Sequence, residues 1–527
     1  MPASGGKRGY EHLEASSSPD EPPASPSAPP PSPSALEAAL PPQLGVWKLA
    51  ALTFFAVSGG PFGVEPLVRT GGPGFAALGL LTIPWVWGIP MAMMTAELST
   101  AMPESGGYIV WIHRAFGDFW ATQASVWTLC NAFLDNAMYP IMFVDYVTAF
   151  FTARDAAAAP TPEGSGSVGG VGLWQTEGEE EMGSGERWLV GMCMTLPIVL
   201  LNLRGVDFVA DGALAFCVLA VTPFVVMVAL GAPALSIDAV SAEVAEPRWG
   251  TFLTVLLWNT CGYDSAGTLA AEVEEPSKVY MPAMVICVVA STLVYLLPIL
   301  VGVSAEGTEV SLWVDGYWSE VGGAIGGELL AGWVMLAGAI STAGLLNTLL
   351  CTTSRALACM GQRRLMPRAV GRLHSRYGTP HVAIGIMTAA IALLMLSDFE
   401  TLIEANMLTY ILKMLLEYAA LIRLRFSEPE MPRPYRIRCG VPGLCLLFAP
   451  PLLLSCALAS LAQPETLLAT AGVLLLGVVV YALLRRYVWD SAASSLDVSS
   501  EVGAGTGSES EDEGTGLVAK GARRDRP

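Results

Sequence analysis

Residues 258–264 read Trp258-Asn259-Thr260-Cys261-Gly262-Tyr263-Asp264, in the middle of an apolar run from about Thr251 to Ala271 that is long enough to cross a bilayer. An amide, a glycine and a carboxylate do not belong in an uninterrupted lipid-facing helix. A charged group at bilayer depth costs roughly 2.5 to 3.5 kcal/mol on insertion scales, and irregular backbone persists there only where protein or a water-filled cavity satisfies it. The stretch therefore reads as an opened helix facing a site, and its counterpart lies in the first apolar run. There Val46 to Val57 is apolar, Ser58-Gly59-Gly60-Pro61-Phe62-Gly63 interrupts it, and Val64-Glu65-Pro66 resumes. Three glycines and a proline within six residues do not keep regular helix hydrogen bonds.

The surroundings of both breaks are those of a polytopic membrane protein. Of 527 residues, 53% are hydrophobic and only 14% charged, with a mean hydropathy of +0.51, whereas soluble domains run near a quarter charged. The formal net charge of -19 lies largely in loops and tails, and so acidic a chain is a poor match for nucleic acid. Met1 to Pro42 is polar and rich in Pro and Ser, so it reads as a disordered tail with no signal peptide. The ten cysteines show no paired spacing, which argues against a disulfide framework. All four histidines (His12, His113, His374 and His381) fall in tails or near loops, so carboxylates must carry any proton relay.

Apolar runs predict twelve transmembrane helices, near 45–68, 74–99, 118–151, 187–203, 207–231, 250–271, 283–304, 327–356, 381–397, 401–424, 441–461 and 465–485. The expected class is an all-α membrane protein. Basic loops set the orientation: Arg363, Arg364, Arg368, Arg372 and Arg376 after the eighth span, and Arg425, Arg433, Arg436 and Arg438 after the tenth, belong in the cytoplasm. The mostly acidic loops 154–186, 232–249 and 305–326 then fall outside, and both termini inside. Spans one to five and six to ten acquire opposite topology, with a break in the first helix of each. Paired interrupted segments of this kind point to the midplane site of a secondary transporter; packing glycines at a helix interface are the plainer alternative. The expected organisation is an N-terminal tail (1–43), a first five-helix repeat (44–232), an inverted second repeat (249–424), helices eleven and twelve (441–487) and a disordered C-terminal tail (488–527).

Particular stretches resemble a known family. TFFAVSGGPFGVE (53–65), TAELSTAMPESGGYIVW (95–111), LDNAMYP (134–140), LWNTCGYDSAGTLAAEVEEPSKVYMP (257–282), SRYGTP (375–380), LLEYAALIRLR (415–425) and RPYRI (433–437) are similar to the plant and algal polyamine uptake transporters. These belong to the amino acid, polyamine and organocation superfamily. The resemblance covers roughly residues 44–487. It implies inverted five-helix repeats plus two further helices (the LeuT-like fold, with discontinuous helices one and six), proton symport and, for an uptake carrier, the plasma membrane. Lys413 and Cys261 depart from the family pattern and bear on substrate preference.

The carboxylates suggest the cargo. Amino acid carriers of this fold place the substrate carboxylate on the amide end of a broken helix. Here Glu65 and Asp264 stand at that end of each second half, leaving the site anionic and suited to amines without a carboxylate. The plainer readings are an i,i+4 pair of Glu65 with Arg69 and a capping role for Asp264. Asp135 in span three has Asn131 and Tyr139 four residues away on either side, on one helix face, and offers a second amine site. In span ten Glu417 follows Lys413 by four residues, which suggests an internal pair; the resemblance instead implies a pathway-facing Glu417. Phe62, Tyr139, Trp258 and Tyr263 supply rings for cation–π contacts, and Gly59, Gly60 and Asn259 complete the expected binding set. Glu65, Asp264 and Glu417 are the candidates for proton coupling, and Glu97 and Glu272 for a cytoplasmic gate. No metal-ligand spacing, cofactor motif or nucleophile–base set is present, so the chain reads as no enzyme. The expected partners are a small cationic polyamine, a proton and the lipid bilayer. An amino acid or other organic-cation carrier of the same fold is the first alternative. A transporter-like nutrient sensor, using the acidic Ser508–Glu513 segment for partners, is the second.

Overall fold

The computed structural model describes residues 44–104, 106–158, 183–397 and 399–486. Both expected tails, the Ser508–Glu513 segment and most of loop 154–186 lie outside these residues. Among the described residues every regular element is helical, and β structure is limited to one isolated parallel bridge between Leu44 and Val273.

The first break forms as its residues require. Helix α1 (Val46–Val57) stops at Ser58, and the chain resumes in α2 (Glu65–Gly71). Gly59, Gly60 and Gly63 between them have φ of 67°, 135° and 79°, a region closed to most side chains. Helix α3 (Pro73–Ile83) then continues through a π-helical turn at Pro84–Gly88 into α4 (Ile89–Ala101). The 99–118 connection, expected to be a loop, holds a short amphipathic helix α5 (Tyr108–Phe116). Three long helices follow: α6 (Asp118–Ala158), α7 (Ser184–Arg204) and α8 (Val206–Gly231).

After the short α9 (Ile237–Val240), α10 (Trp249–Trp258) ends at the second break. The chain resumes there as a 3₁₀ segment, Tyr263–Glu272, and not as the α-helix that its apolar pattern suggests. Gly262, at φ 98°, makes the turn, and a Cβ there would strike the carbonyl oxygen of Ala56 beside the first break. The two breaks therefore lie against each other. The remaining helices are α11 (Pro276–Val303), α12 (Trp318–Gln362), α13 (His381–Leu394), α14 (Phe399–Ser427), α15 (Val441–Leu461) and α16 (Pro464–Leu484). Helix α12 starts inside the stretch 305–326 expected to be loop, because its N-terminal part turns at Gly327 (φ 73°) before the long run begins.

Among the described residues seven helices are long and apolar enough to cross a membrane, by length and composition alone: Pro73–Ala101, Ser184–Arg204, Val209–Ala234, Pro276–Val303, Trp318–Gln362, Val441–Leu461 and Pro464–Leu484. The helices outside this group are informative. Helices α1 and α10 are cut short by the breaks, and α6 and α14, of 41 and 29 residues, carry Asp135 and the Lys413–Glu417 pair through their middles. Helix α14 packs along α6 and against α10, and α12 runs along α6 and α8 and touches α1.

Because lipid chains are as apolar as leucine, helix association here leans on close packing and interhelical hydrogen bonds, each worth about 0.6 kcal/mol on average. Asn202 Nδ2 donates to the Asn347 carbonyl (3.2 Å) and Asn347 Nδ2 to the Val209 carbonyl (3.1 Å), tying α7, α12 and α8 together. Trp188 Nε1 donates to the Ala392 carbonyl (2.7 Å), joining α7 to α13.

Candidate functional site

A broken helix leaves carbonyls and amides without intrahelical partners, and inside a membrane protein each must be met by something else. At the first break the carbonyls are met by side chains from distant segments. Ser341 Oγ donates to Gly59 O (2.7 Å), Trp318 Nε1 to Pro61 O (2.5 Å) and Asn259 Nδ2 to Gly63 O (2.8 Å). Asn259 also accepts from the Tyr295 hydroxyl (3.3 Å), so one residue of the second break holds the first one in place. The amides are engaged as well: Gly60 N donates to Ser58 Oγ (3.3 Å) and Gly262 N to the Tyr410 hydroxyl (2.9 Å).

Between the breaks lies a cavity of about 50 Å³, room for a few waters. Phe62, Trp258, Asn259, Asp264, Asp135 and Tyr139 line it, together with Lys413, Tyr410, Asn406 and Tyr108. Of the residues expected from the sequence to form a binding set, this brings together six. Gly59, Gly60, Glu65, Tyr263 and Glu417 do not line the cavity. Tyr263 is fully buried behind the break, its hydroxyl 3.3 Å from Ser291 Oγ.

Two carboxylates face this cavity in different surroundings. Asp135 Oδ1 accepts from the Tyr139 hydroxyl (3.2 Å), Asn406 Nδ2 (3.2 Å) and Trp258 Nε1 (3.5 Å). The Tyr139 and Trp258 rings stack at 6.5 Å with 19° between their planes, forming an aromatic wall beside the acid. Among the described residues no Lys, Arg or His forms an ion pair with Asp135. Asp264, by contrast, is fully engaged: Oδ1 accepts from the Tyr410 hydroxyl (2.6 Å) and Oδ2 from Lys413 Nζ (2.5 Å). It makes no side-chain cap for its own 3₁₀ segment. Lys413 thus pairs first with Asp264, with Glu417 more distant at 3.9 Å, and its ammonium also sits over the rings of Tyr108 (4.3 Å) and Tyr410 (4.5 Å).

Glu65 turns away from the cavity and from Arg69, which is exposed. It is wholly buried, and Oε1 accepts from the backbone N–H of Gly316 (3.2 Å), next to Asp315 in the connection before α12. Glu417 is equally buried, with neither carboxylate oxygen in a hydrogen bond.

At the end of the molecule that carries the basic loops, the acids expected to form a gate are paired with arginines, Glu97 with two from the basic stretch after the tenth span and Glu272 with one inside a helix. Glu97 receives two bonds from Arg425 (2.7 and 2.6 Å) and one from the Ile437 amide (2.8 Å), with Arg433 at 3.3 Å. Glu272 is held by Arg355 from α12 (2.5 Å), while the loop residue Arg363 takes the more exposed Glu104 (2.6 Å). Leu44 locks the same end by backbone bonds to Glu272 O (3.1 Å) and from Glu274 N (3.0 Å). Nearby, outside the membrane-spanning segments, the hydrogen bonds from Arg114 hold the Glu428 carboxyl below its ordinary range.

Sequence reasoning missed Asn406, Tyr410 and Tyr108. The first two carry a readable signal: Asn406, Tyr410, Lys413 and Glu417 are spaced by four, three and four, a polar stripe along one face of α14. The same spacing on α6 joins Asn131, Asp135 and Tyr139, and Asn131 meets Asn406 across the helix pair. Tyr108 gives no such signal, since it opens a short helix in what reads as a loop.

The described residues hold no grouping of His, Cys, Asp and Glu suited to a metal, and all ten cysteines are free thiols. The profile of the family described as amino acid permease matches residues 44–484. The chain is 35% identical over 446 residues to a probable polyamine transporter of Arabidopsis thaliana, covering 84% of this chain and 87% of that protein. It is 32% identical over 438 residues to a polyamine transporter of Oryza sativa subsp. japonica (83% and 77% of the two chains). Similarity extends at 24% over 500 residues to a branched-chain amino acid permease of Bacillus subtilis (85% and 94%).

Proposed function

The chain belongs to the amino acid permease family, whose members are membrane transporters and not enzymes, and from that premise we propose that it imports polyamines by alternating access. The observation that carries the choice of cargo is the contrast between the cavity's anionic and cationic groups. Asp135 stands unpaired beside two rings, while the amides that would receive a substrate carboxylate, Gly60 N and Gly262 N, are already engaged. A cargo that brings ammonium groups and no carboxylate suits that arrangement. Two plant relatives carry polyamine transport in their names, which supports the same class.

Seven self-sufficient apolar helices, together with the two interrupted spans, α6, α13 and α14, support twelve membrane crossings. The adjacent breaks at 58–64 and 259–262 support an inverted pair of five-helix repeats at 44–232 and 249–424, with helices eleven and twelve at 441–487. The arginine-rich end is taken as cytoplasmic, which puts both termini inside, and the plasma membrane is the proposed location. Glu97–Arg425 and Glu272–Arg355 are the proposed cytoplasmic gate, closed here by their ion pairs. The proposed cargo contacts are Asp135, Tyr139, Trp258 and Phe62. Gly59, Gly60, Asn259, Tyr263 and Asp264 shape the breaks that hold them.

The energetics favour uptake. One charge moved through 100 mV is worth about 2.3 kcal/mol, so a dication gains about 4.6 without any coupling ion. Proton coupling is proposed for Glu417, whose buried carboxyl sits 3.9 Å from Lys413 and lacks a hydrogen bond, and for Glu65, whose Oε2 has none.

Uptake of labelled putrescine, spermidine and leucine into proteoliposomes tests the cargo. Polyamine uptake that leucine does not inhibit is expected; leucine uptake without polyamine competition overturns the proposal. The bacterial relative keeps an amino acid carrier as the second reading.

A further inference from the structure

The geometry points to Lys413 as a tethered substitute for a cargo amine. We infer that its ammonium fills an amine station on Asp264, so that in this chain cargo is held through Asp135 and Lys413 limits how many cargo charges the site accepts. The inference rests on the polyamine reading for its transport arm, but its structural arm stands alone.

The surroundings of Nζ are those a free alkylammonium requires. A carboxylate lies at 2.5 Å and a second at 3.9 Å. Two ring faces, Tyr108 at 4.3 Å and Tyr410 at 4.5 Å, flank the same nitrogen, a box of the kind that binds ammonium ligands. Tyr410 also fixes the acid, donating to Asp264 Oδ1 at 2.6 Å. Lys413 is itself on the cavity wall, and the carboxylate it occupies sits on the second break, where the chain is opened to make a site. An ion pair serving packing alone needs no aromatic box and no place on the cavity. The cavity then holds one acid with a free charge, Asp135, on the neighbouring helix face. A diamine finds its first station at Asp135 and its second already filled by the protein.

Lys413→Ala removes a three-carbon chain and its ammonium, the atoms of n-propylamine. In the full-length purified variant, millimolar n-propylamine is expected to raise the thermal unfolding temperature, or the folded yield if the variant is unstable without it. It should leave the wild-type protein unmoved, and n-propanol should fail in its place. Equal stabilisation of both proteins, no stabilisation of the variant, or rescue by the alcohol overturns the inference. In proteoliposomes, Lys413→Met is expected to lower KM for putrescine relative to n-butylamine by tenfold or more, because a second carboxylate becomes available. A ratio that stays at the wild-type value, with both substrates weakened alike, contradicts it. If the wild-type protein carries no amine at all, the cargo proposal falls, and the propylamine rescue still decides the role of Lys413.

Discussion

The Lys413 ammonium lies 2.5 Å from the Asp264 carboxylate, both side chains almost wholly buried, at the point where the second transmembrane break opens. The break thus carries its own cation, and the cavity-lining acid without an ion pair among the described residues is Asp135, 123 positions from Trp258 in the chain and 3.5 Å from its indole nitrogen.

Asp135→Asn keeps the hydrogen-bond geometry and removes the charge. Charge-assisted hydrogen bonds are worth about 1.5–3 kcal/mol, so KM for putrescine should rise roughly ten- to a hundredfold while the protein still reaches the membrane. Uptake kinetics beside surface quantification check this, and an unchanged KM would move Asp135 to a purely structural role.

Breaking one partner of a buried ion pair strands the other charge, at about 3–5 kcal/mol. Asp264→Asn alone should therefore unfold at a markedly lower temperature. The double variant Asp264→Asn/Lys413→Met should recover much of the loss, because neither charge is then left unpaired. Thermal unfolding of both variants and of Lys413→Met completes the cycle; losses that simply add would show that the pair is not coupled.

Asn259 bonds both the Gly63 carbonyl and the Tyr295 hydroxyl. Asn259→Ala leaves a buried carbonyl without its side-chain donor, which costs about 1–3 kcal/mol. A lowered unfolding temperature and a loss of uptake larger than the loss of folded protein are expected, since the two breaks lose their link.

The arginine-rich end, proposed to face the cytoplasm, gives a conformational test. Arg355 holds Glu272 at 2.5 Å and contacts Cys351, whose thiol is buried. Glu272→Gln weakens that closure, so a membrane-impermeant maleimide should alkylate Cys351 faster in inside-out vesicles, read site by site by mass spectrometry. Labelling at the wild-type rate would mean that the pair does not restrain opening.

The outline of the fold was legible because lipid imposes apolar runs of about twenty residues and forbids irregular backbone without a reason. That is why Ser58–Gly63 and Asn259–Gly262 stood out as breaks. Side-chain direction was not legible to the same degree. Glu65 and Asp264 occupy matching places after the breaks, yet Glu65 turns to the Gly316 amide and Asp264 to the cavity. Helix spacing placed Lys413 beside Glu417, but its Nζ reaches across to another helix, a tertiary choice that spacing along one helix does not express. The polar stripe from Asn406 to Glu417 was there to be read; Tyr108 was not, because its helix is only nine residues long.

The most direct test of a cationic cargo held at Asp135 is the current carried by putrescine in proteoliposomes under a clamped, interior-negative potential. The wild-type protein should give a saturable inward current that grows with the potential and is unaffected by excess leucine, and at a putrescine concentration below the wild-type KM Asp135→Asn should cut it roughly ten- to a hundredfold. A leucine-driven flux that putrescine neither carries nor inhibits, or a putrescine current undiminished in Asp135→Asn, would contradict the account.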